Sequence, residues 1–499
     1  MTSRPTPRLL RASALAIPIL MFITLVCWSF ASPVGSSPDD NFHLPSIWCG
    51  LGERPGLCED SGDPDTRMVP KPVTTASCYA FDATEDGSCW NADAPGMAEA
   101  DWMNAIGLYP PVFYATMSVF AGPDISLSVL MMRIVNSAIV VGLLTATFFA
   151  LPRSIRPSLV ISTLAMSVPL GLFVLASTNP SSWAFVSAAT LWLCVYATTK
   201  TTGRRQLVVA ALAVLAAVMG AGARADAAVY AVFGVVIAIV LGLRRGVKLL
   251  VPAITAGLVV VISAVFYLTA GQADALASGL PTDNPPLTGA QHLANFLGVP
   301  ILWWGAFGPS GLGWLDTVPP AMVGALAFGV FAASLFIGVR RLGLRRAVAL
   351  ALAFAALWVV PFVMLAQSRA LVGTHVQSRY LLPLMIILVA VASLSPWVIG
   401  EWRGPRSIIA GGALAIAMSV ALHANIRRYT TGLDSNAADP GLGAAWWWAA
   451  APSPLAVWVI GSLAFAAVFV LLASVIRRPV AAPALHTPVA AREADRAAV

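Results

Sequence analysis

Charge is what this chain has least of. Of its 499 residues only 11% are Asp, Glu, Lys or Arg, while 58% are hydrophobic and the mean hydropathy is +0.80. Soluble domains carry roughly a quarter charged residues, so this chain cannot clothe a water-facing surface. A soluble enzyme, a nucleic-acid-binding protein and a disordered scaffold are excluded together. No GxxxxGK[ST] phosphate loop occurs either, which excludes an ATP-driven pump within this one chain. No internal repeat is present. The class left standing is an all-α polytopic membrane protein.

A helix crosses the hydrocarbon core with about 20 apolar residues. Twelve runs meet that length: 11–31, 125–151, 158–177, 182–199, 206–222, 227–243, 247–270, 318–339, 347–366, 380–400, 407–424 and 454–476. Acids are nearly missing from every second connector. Those connectors carry Arg4, Arg8 and Arg11; Arg153 and Arg156; Lys200, Arg204 and Arg205; Arg244, Arg245 and Lys248. They continue with Arg340, Arg341, Arg345 and Arg346; Arg403 and Arg406; and Arg477 and Arg478, against only Glu401, Glu493 and Asp495. By the positive-inside rule this side is cytoplasmic, both termini included, in a plasma membrane. The first run, with its arginines and Ser29-Phe30-Ala31, resembles a signal peptide. Its apolar stretch is longer than a signal core, which favours a retained helix.

The organisation expected is a cytoplasmic start and first helix (1–31), an extracytoplasmic loop with an interfacial helix (32–124), and eleven further helices (125–476). Two more outer loops lie at about 271–317 and 425–453, and 477–499 reads as a disordered cytoplasmic tail. Thirteen of the acids fall in 32–105, so chemistry is expected on the outer face. The stretch Tyr109–Gly122 is too short to span and reads as an amphipathic helix on the outer surface.

Cysteine is scarce, six in all, and four of them (Cys49, Cys58, Cys78, Cys89) share that first loop. An even number in an exported loop fits two disulfides. Neighbour pairing, Cys49–Cys58 and Cys78–Cys89, closes two small loops in a segment with little apolar core. The spacings are not those of a zinc site.

Just after the first run comes Ser37-Pro38-Asp39-Asp40-Asn41-Phe42-His43. A carboxylate at this height can deprotonate an acceptor hydroxyl beside a lipid-phosphate headgroup. Alternatively Asp39, Asp40 and His43 hold a divalent metal such as magnesium, or the pair is an incident of an acidic loop. Arg224 and Asp226 sit in a tight turn between two runs, where Arg224 either grips a phosphate through its planar fork or caps the turn by pairing with Asp226. Arg379, followed by Tyr380, opens a run on the outer side, where arginine is disfavoured. It meets an anionic lipid, or a phosphate leaving group. His375 nearby is a weaker candidate. Arg133 lies inside a span, where a charge costs roughly 2.5–3.5 kcal/mol, and so joins the substrate-binding candidates; snorkelling or pairing with Asp124 is the alternative. Trp303, Trp304, Trp314 and Trp446 to Trp448 can stack on sugar rings or anchor the protein at the interface.

Taken in order, Ser37-Pro38-Asp39-Asp40 with His43 and Cys49, Tyr109-Pro110-Pro111, and Asn179-Pro180-Ser181-Ser182-Trp183-Ala184 form one pattern. Arg224-Ala225-Asp226-Ala227, Gly313-Trp314-Leu315-Asp316-Thr317 and Gln377-Ser378-Arg379-Tyr380-Leu381-Leu382-Pro383 complete it. The set resembles the actinobacterial membrane family called domain of unknown function 2142, itself similar to integral-membrane glycosyltransferases of the GT-C fold. The resemblance implies a polyprenyl-phosphate sugar donor, an envelope glycan, lipid or protein acceptor, and an acidic motif supplying base or metal ligand, here Asp39 and Asp40. The expectation is an inverting sugar transfer in a groove accessible to membrane lipid, with Arg224 and Arg379 on the departing phosphate. A lipid-linked glycan ligase relying on Arg379 and His375 is the nearest rival. A secondary transporter or flippase would instead place ionisable groups near mid-membrane.

Overall fold

The least apolar of the long helices is the one most completely enclosed. In the computed structural model, residues 7–244, 246, 248–273, 284–340, 342–395 and 397–476 are described, residues 7–14 by backbone alone. The tail expected at 477–499 lies outside the described residues. Ser181–Thr198 (α8) is buried over almost its whole length, whereas Leu250–Leu268 (α11) and Pro454–Ile476 (α18) are richer in Leu, Ile and Val and leave most of theirs exposed. That inversion is what a bilayer demands. The face that meets lipid must be apolar, while a helix wholly surrounded by protein can carry Ser and Thr that bond to its own carbonyls. Around α8 pack Ile125–Ala150 (α5), Gly203–Ala221 (α9), Ala225–Gly242 (α10) and Leu382–Ala392 (α15). Pro7–Phe30 (α1) lies against α5 and α18, and Ser29 Oγ donates to Ala176 O at 3.3 Å, so the first run is built into the bundle.

Nine of the described helices are long and apolar enough to cross a membrane, and each matches one of the twelve runs. The other three differ. Residues 158–177 form two helices, Arg156–Ala165 (α6) and Leu170–Leu175 (α7), because Pro169 has no N–H to continue the ladder. The run 380–400 begins as a 3-10 turn, Ser378–Leu381, and α15 stops at Ala392 ahead of the Ser-rich stretch leading to Pro396. The first run is described as an apolar helix over Leu15–Phe30.

Two loop expectations are corrected. The connector 271–317 contains a helix, Gly289–Gly305 (α12), opened by a Thr288/Gln291 capping box and exposing Leu293, Leu297 and Ile301. The interfacial helix is only Val112–Ser118 (α4), and Phe113, Tyr114, Met117 and Ser118 are buried. It packs on Asp40–Trp48 (α2) and the end of α9 instead of lying on a surface. Val112 N–H reaches Gly222 O at 2.9 Å, an approach that a side chain at Gly222 would block.

The segment 31–124 is otherwise irregular. It contains a three-stranded antiparallel sheet, Glu59–Asp60 (β1), Arg67–Pro70 (β2) and Met97–Ala100 (β3), in register Glu59↔Met68 and Val69↔Ala98. Both disulfides pair neighbours, Cys49–Cys58 and Cys78–Cys89, as the spacing suggested. The basic connectors gather at the opposite end of the bundle. There Arg205 bonds the carbonyls of Ala150 and Leu151, and Arg340 and Arg406 share Glu401.

One clamp fixes the second disulfide loop. Arg428, in Pro405–Thr430 (α17), is wholly buried and donates to Tyr79 O (2.9 Å), Asp82 O (2.7 Å), Glu85 O and Asp316 Oδ2 (2.8 Å). Removing it strands a buried carboxylate and three carbonyls. Arg428→Ala is therefore expected to destabilise the purified protein by about 3–5 kcal/mol, and Asp316→Asn by less. Thermal unfolding in detergent measures this, and a variant melting with the wild type refutes the clamp.

Candidate functional site

The turn between α1 and α2 has no regular structure, so each carbonyl in it needs a donor from elsewhere. Arg133, from α5, supplies donors to Ser32 O at 2.6 Å and Pro33 O at 2.7 Å, to Ser36 Oγ at 3.1 Å, and to Ser29 O in the last turn of α1 at 3.1 Å. Asn425 takes Ala31 O (2.9 Å), Tyr79 takes Val34 O (2.6 Å), Trp314 takes Gly35 O (2.9 Å) and Asn179 takes Pro38 O (2.8 Å). Gly35 has φ +84° and lies against the Ala76 backbone, leaving no room for a side chain. Arg133 is thus committed to holding this turn. Asp124 is not its partner, since Asp124 caps α5 by accepting from Leu127 N.

The turn delivers two adjacent carboxylates to different surroundings. Asp39 has the left-handed backbone conformation (φ +62°) and makes no capping bond to α2. Its side chain instead accepts from Arg379 Nη2, and it is about 37% exposed. Asp40, one residue on, is fully buried. Its Oδ2 accepts from Ser37 N at 3.0 Å and its Oδ1 from Thr178 Oγ1 at 3.1 Å. Of the two candidates, Asp39 is the accessible one and Asp40 is part of the scaffold.

Two guanidiniums flank Tyr380. The Arg224 carbon stands 5.0 Å from its ring centre and the Arg379 carbon 5.1 Å. Arg224 is bidentate on Asp226, both bonds 2.8 Å, with its remaining nitrogen 3.3 Å from Ser181 Oγ; its other face looks onto Tyr109. Both readings of Arg224 therefore meet in one residue: it pairs with Asp226 and also stands in the cluster. Arg379 is less satisfied. Only Nη2 is used, for Asp39 and the Tyr380 hydroxyl (3.2 Å), while Nε and Nη1 are buried with no hydrogen-bond partner among the described residues. Buried guanidinium N–H groups usually find acceptors, so these donors can take oxygens that a ligand brings.

His43 backs the cluster. Its Nδ1 is 2.8 Å from the Tyr114 hydroxyl, its Nε2 has no partner among the described residues, and Tyr109 meets its ring edge-on. Tyr109 and Tyr114 also line a cavity of about 480 Å³ beside the Cys49–Cys58 loop. Burial drives His43 down to about 3, and Arg379 and Arg224 add to the effect, so the ring is neutral at neutral pH. Burial likewise pushes Asp40 up to about 7, with Arg133, Ser37 N–H and Thr178 opposing. Burial also acts to raise Asp39, but Arg379 and then Arg224 outweigh it and hold its carboxyl below the usual range.

His375 is exposed and, among the described residues, makes no contact with the cluster. The metal alternative does not fit either: Asp40 is turned away to Ser37 and Thr178, and among the described residues no three His, Cys, Asp or Glu converge. Tryptophans expected to stack or anchor are partly spent on backbone, Trp303 on Leu357 O and Trp448 on Phe30 O. Residues for which sequence alone indicated no role in the site are Tyr109, Tyr114, Thr178 and Asn136. Asn136 donates to Leu175 O and Ser177 O, and accepts from Trp183, so it fixes the turn ahead of α8. Tyr109 opens the Tyr109-Pro110-Pro111 motif, and Tyr114 and Thr178 lie within a few residues of that motif and of Asn179-Pro180-Ser181; nothing marks Asn136.

The chain belongs to the family described as predicted membrane protein DUF2142, whose sequence profile matches residues 22–388. The match takes in every member of the cluster and stops within α15, ahead of α17 and α18. No curated protein matches the chain.

The shifts at Asp40 and His43 oppose each other in stability. A carboxyl raised to about 7 binds its proton more tightly in the folded state, so its contribution is present in acid and is lost as pH rises from about 4 to 7. A histidine lowered to about 3 contributes stability that is lost as pH falls from about 6.5 towards 3. Over the shared window the two slopes cancel. Asp40→Asn is expected to make stability rise with pH between about 4 and 6.5, and His43→Gln to make it fall. Melting temperatures across that window test this, and parallel profiles for the two variants contradict it.

Proposed function

We propose that this member of the DUF2142 family is an integral-membrane glycosyltransferase that moves a sugar from a polyprenyl-phosphate donor to a hydroxyl of a cell-envelope acceptor. The acidic, disulfide-containing end would face the exterior and the basic connectors and both termini the cytoplasm. Opposite charge bias at the two ends and two disulfides in the acidic segment support that orientation. A GT-C-like architecture is part of the same proposal.

The observation that carries it is Arg379, buried, bonded to Asp39 through one nitrogen and with its other two nitrogens unpartnered among the described residues. A phosphodiester arriving there takes those donors and competes for the nitrogen that Asp39 holds. Asp39, relieved of its cation and set beside a new negative charge, rises in basicity. It then accepts the proton of the acceptor hydroxyl as that oxygen bonds to the anomeric carbon. The bond from that carbon to the phosphate oxygen breaks, its electron pair leaves with the polyprenyl phosphate, and direct attack inverts the configuration. Arg379, with Arg224 beside Tyr380, stabilises charge growing on the leaving oxygen. The ligase alternative would rest on His375, which stands away from this cluster.

Asp39→Asn is expected to lower transfer at least about 100-fold, within the range of a lost general base. Asp40→Asn, losing only one buried acceptor contact, is expected to stay within about tenfold. The assay follows sugar release from synthetic polyprenyl-phosphate sugars by purified protein. Full activity in Asp39→Asn removes the base assignment; no turnover of any such donor by the wild type removes the function.

A further inference from the structure

At the basic end of the bundle, away from the cluster, an apolar crevice runs between α5, α6, Ala321–Gly338 (α13), α17 and α18. Its wider part encloses about 320 Å³, and a second part of about 200 Å³ continues it towards α1. Phe148, Val160, Leu164, Leu472 and Val475 line both parts, so the two adjoin. Beyond this apolar stretch the wider part is bordered by Arg153, Arg156 and Trp402.

The charge there is one-sided. Arg156 donates to Leu151 O (3.0 Å) and Phe149 O (2.9 Å), and Arg205 to Ala150 O (2.7 Å) and Leu151 O (2.5 Å). Three guanidiniums, counting Arg153, thus collect at the C-terminal end of α5. Its free carbonyls answer two of them. Arg153 is exposed and has no hydrogen-bond or ion-pair partner among the described residues. Glu401, the acid of this end among the described residues, is already held by Arg340 (2.8 Å) and Arg406 (2.5 Å). An occupant must therefore bring a fixed negative charge at one end and a flexible apolar chain at the other. A soluble anion leaves the crevice unexplained, and a neutral chain leaves Arg153 unanswered.

We propose that this crevice binds one anionic glycerophospholipid, with its phosphate at Arg153 and Arg156 and an acyl chain between α5, α6 and α18. The site is independent of the transferase reading. Delipidated full-length protein is titrated in detergent with phosphatidylglycerol and with phosphatidylcholine of the same acyl chains, and adducts are read by native mass spectrometry. Phosphatidylglycerol is expected to bind about fivefold tighter or more, the size of one arginine–anion contact at a membrane surface. Arg153→Gln, with an unchanged melting temperature, is expected to lose most of that preference. Ala410→Trp, which places a bulky ring in the crevice, is expected to weaken both lipids. Equal affinity of the wild type for the two lipids overturns the proposal. So does an undiminished preference in Arg153→Gln, or unaltered binding of both lipids by Ala410→Trp.

Discussion

Arg133 makes an irregular turn possible at the edge of the bilayer. Carbonyls left open where water is scarce cost several kcal/mol each, and the residues between α1 and α2 have no helix or strand to satisfy them. A charge inside a span is itself costly. Here that cost is offset because one guanidinium serves three carbonyls and a hydroxyl at once, a fork geometry that lysine cannot reproduce. Asn425, Tyr79, Trp314 and Asn179 complete the set from four other parts of the chain. The turn is consequently over-determined, and over-determination is what allows a residue in it to hold an unfavourable backbone conformation.

That residue is Asp39. An aspartate at a helix N-cap ordinarily spends its side chain on the helix's own N–H groups. The left-handed conformation at Asp39 removes that option and turns the carboxylate towards Arg379, while Asp40 continues inward and is locked by Ser37 and Thr178. The strain, on the order of 1–3 kcal/mol, therefore separates two chemically identical neighbours into one accessible group and one structural group. The same enclosure keeps His43 neutral beside two arginines, so it adds no third positive charge to the cluster.

Much of this was readable in the residues, for definite reasons. Apolar runs register as helices because hydropathy reports length in lipid, and nine long helices fall where they were expected. Neighbouring cysteines paired because short loops close readily. Hydropathy does not report continuity, so the break at Pro169 was hidden, as was the 17-residue α12, although its capping box was legible. The roles within the site depend on partners far away in the chain. Asp39 and Arg379 are 340 residues apart, and no local pattern distinguishes Asp39 from Asp40. The cost of Arg133 inside a span is legible in the sequence but its partners are not, because its acceptors are mostly carbonyls, which every residue has. His375 was included for its nearness in sequence to Arg379, and the intervening Val376–Ser378 carries it away to the exposed surface.

The balance of charge in the cluster bears on which step the proposed reaction would favour. Arg224 and Arg379 are matched by Asp226 and Asp39, so the quartet is neutral as it stands. A sugar phosphodiester adds one negative charge, and cleavage to a phosphomonoester adds a second. If the acceptor's proton went to water, the buried arginines would face that extra charge with Asp39 still ionised beside it. If Asp39 takes the proton, the negative charge gained by the leaving group is lost by the carboxylate, and the total within the cluster is unchanged through the step. In a poorly solvated site, where each uncompensated charge is expensive, the second route is the one the arrangement favours. Asp226, fixed bidentate on Arg224, cannot offer that exchange, which is why a single accessible carboxylate on a half-satisfied arginine matters more here than the number of acids in the loop.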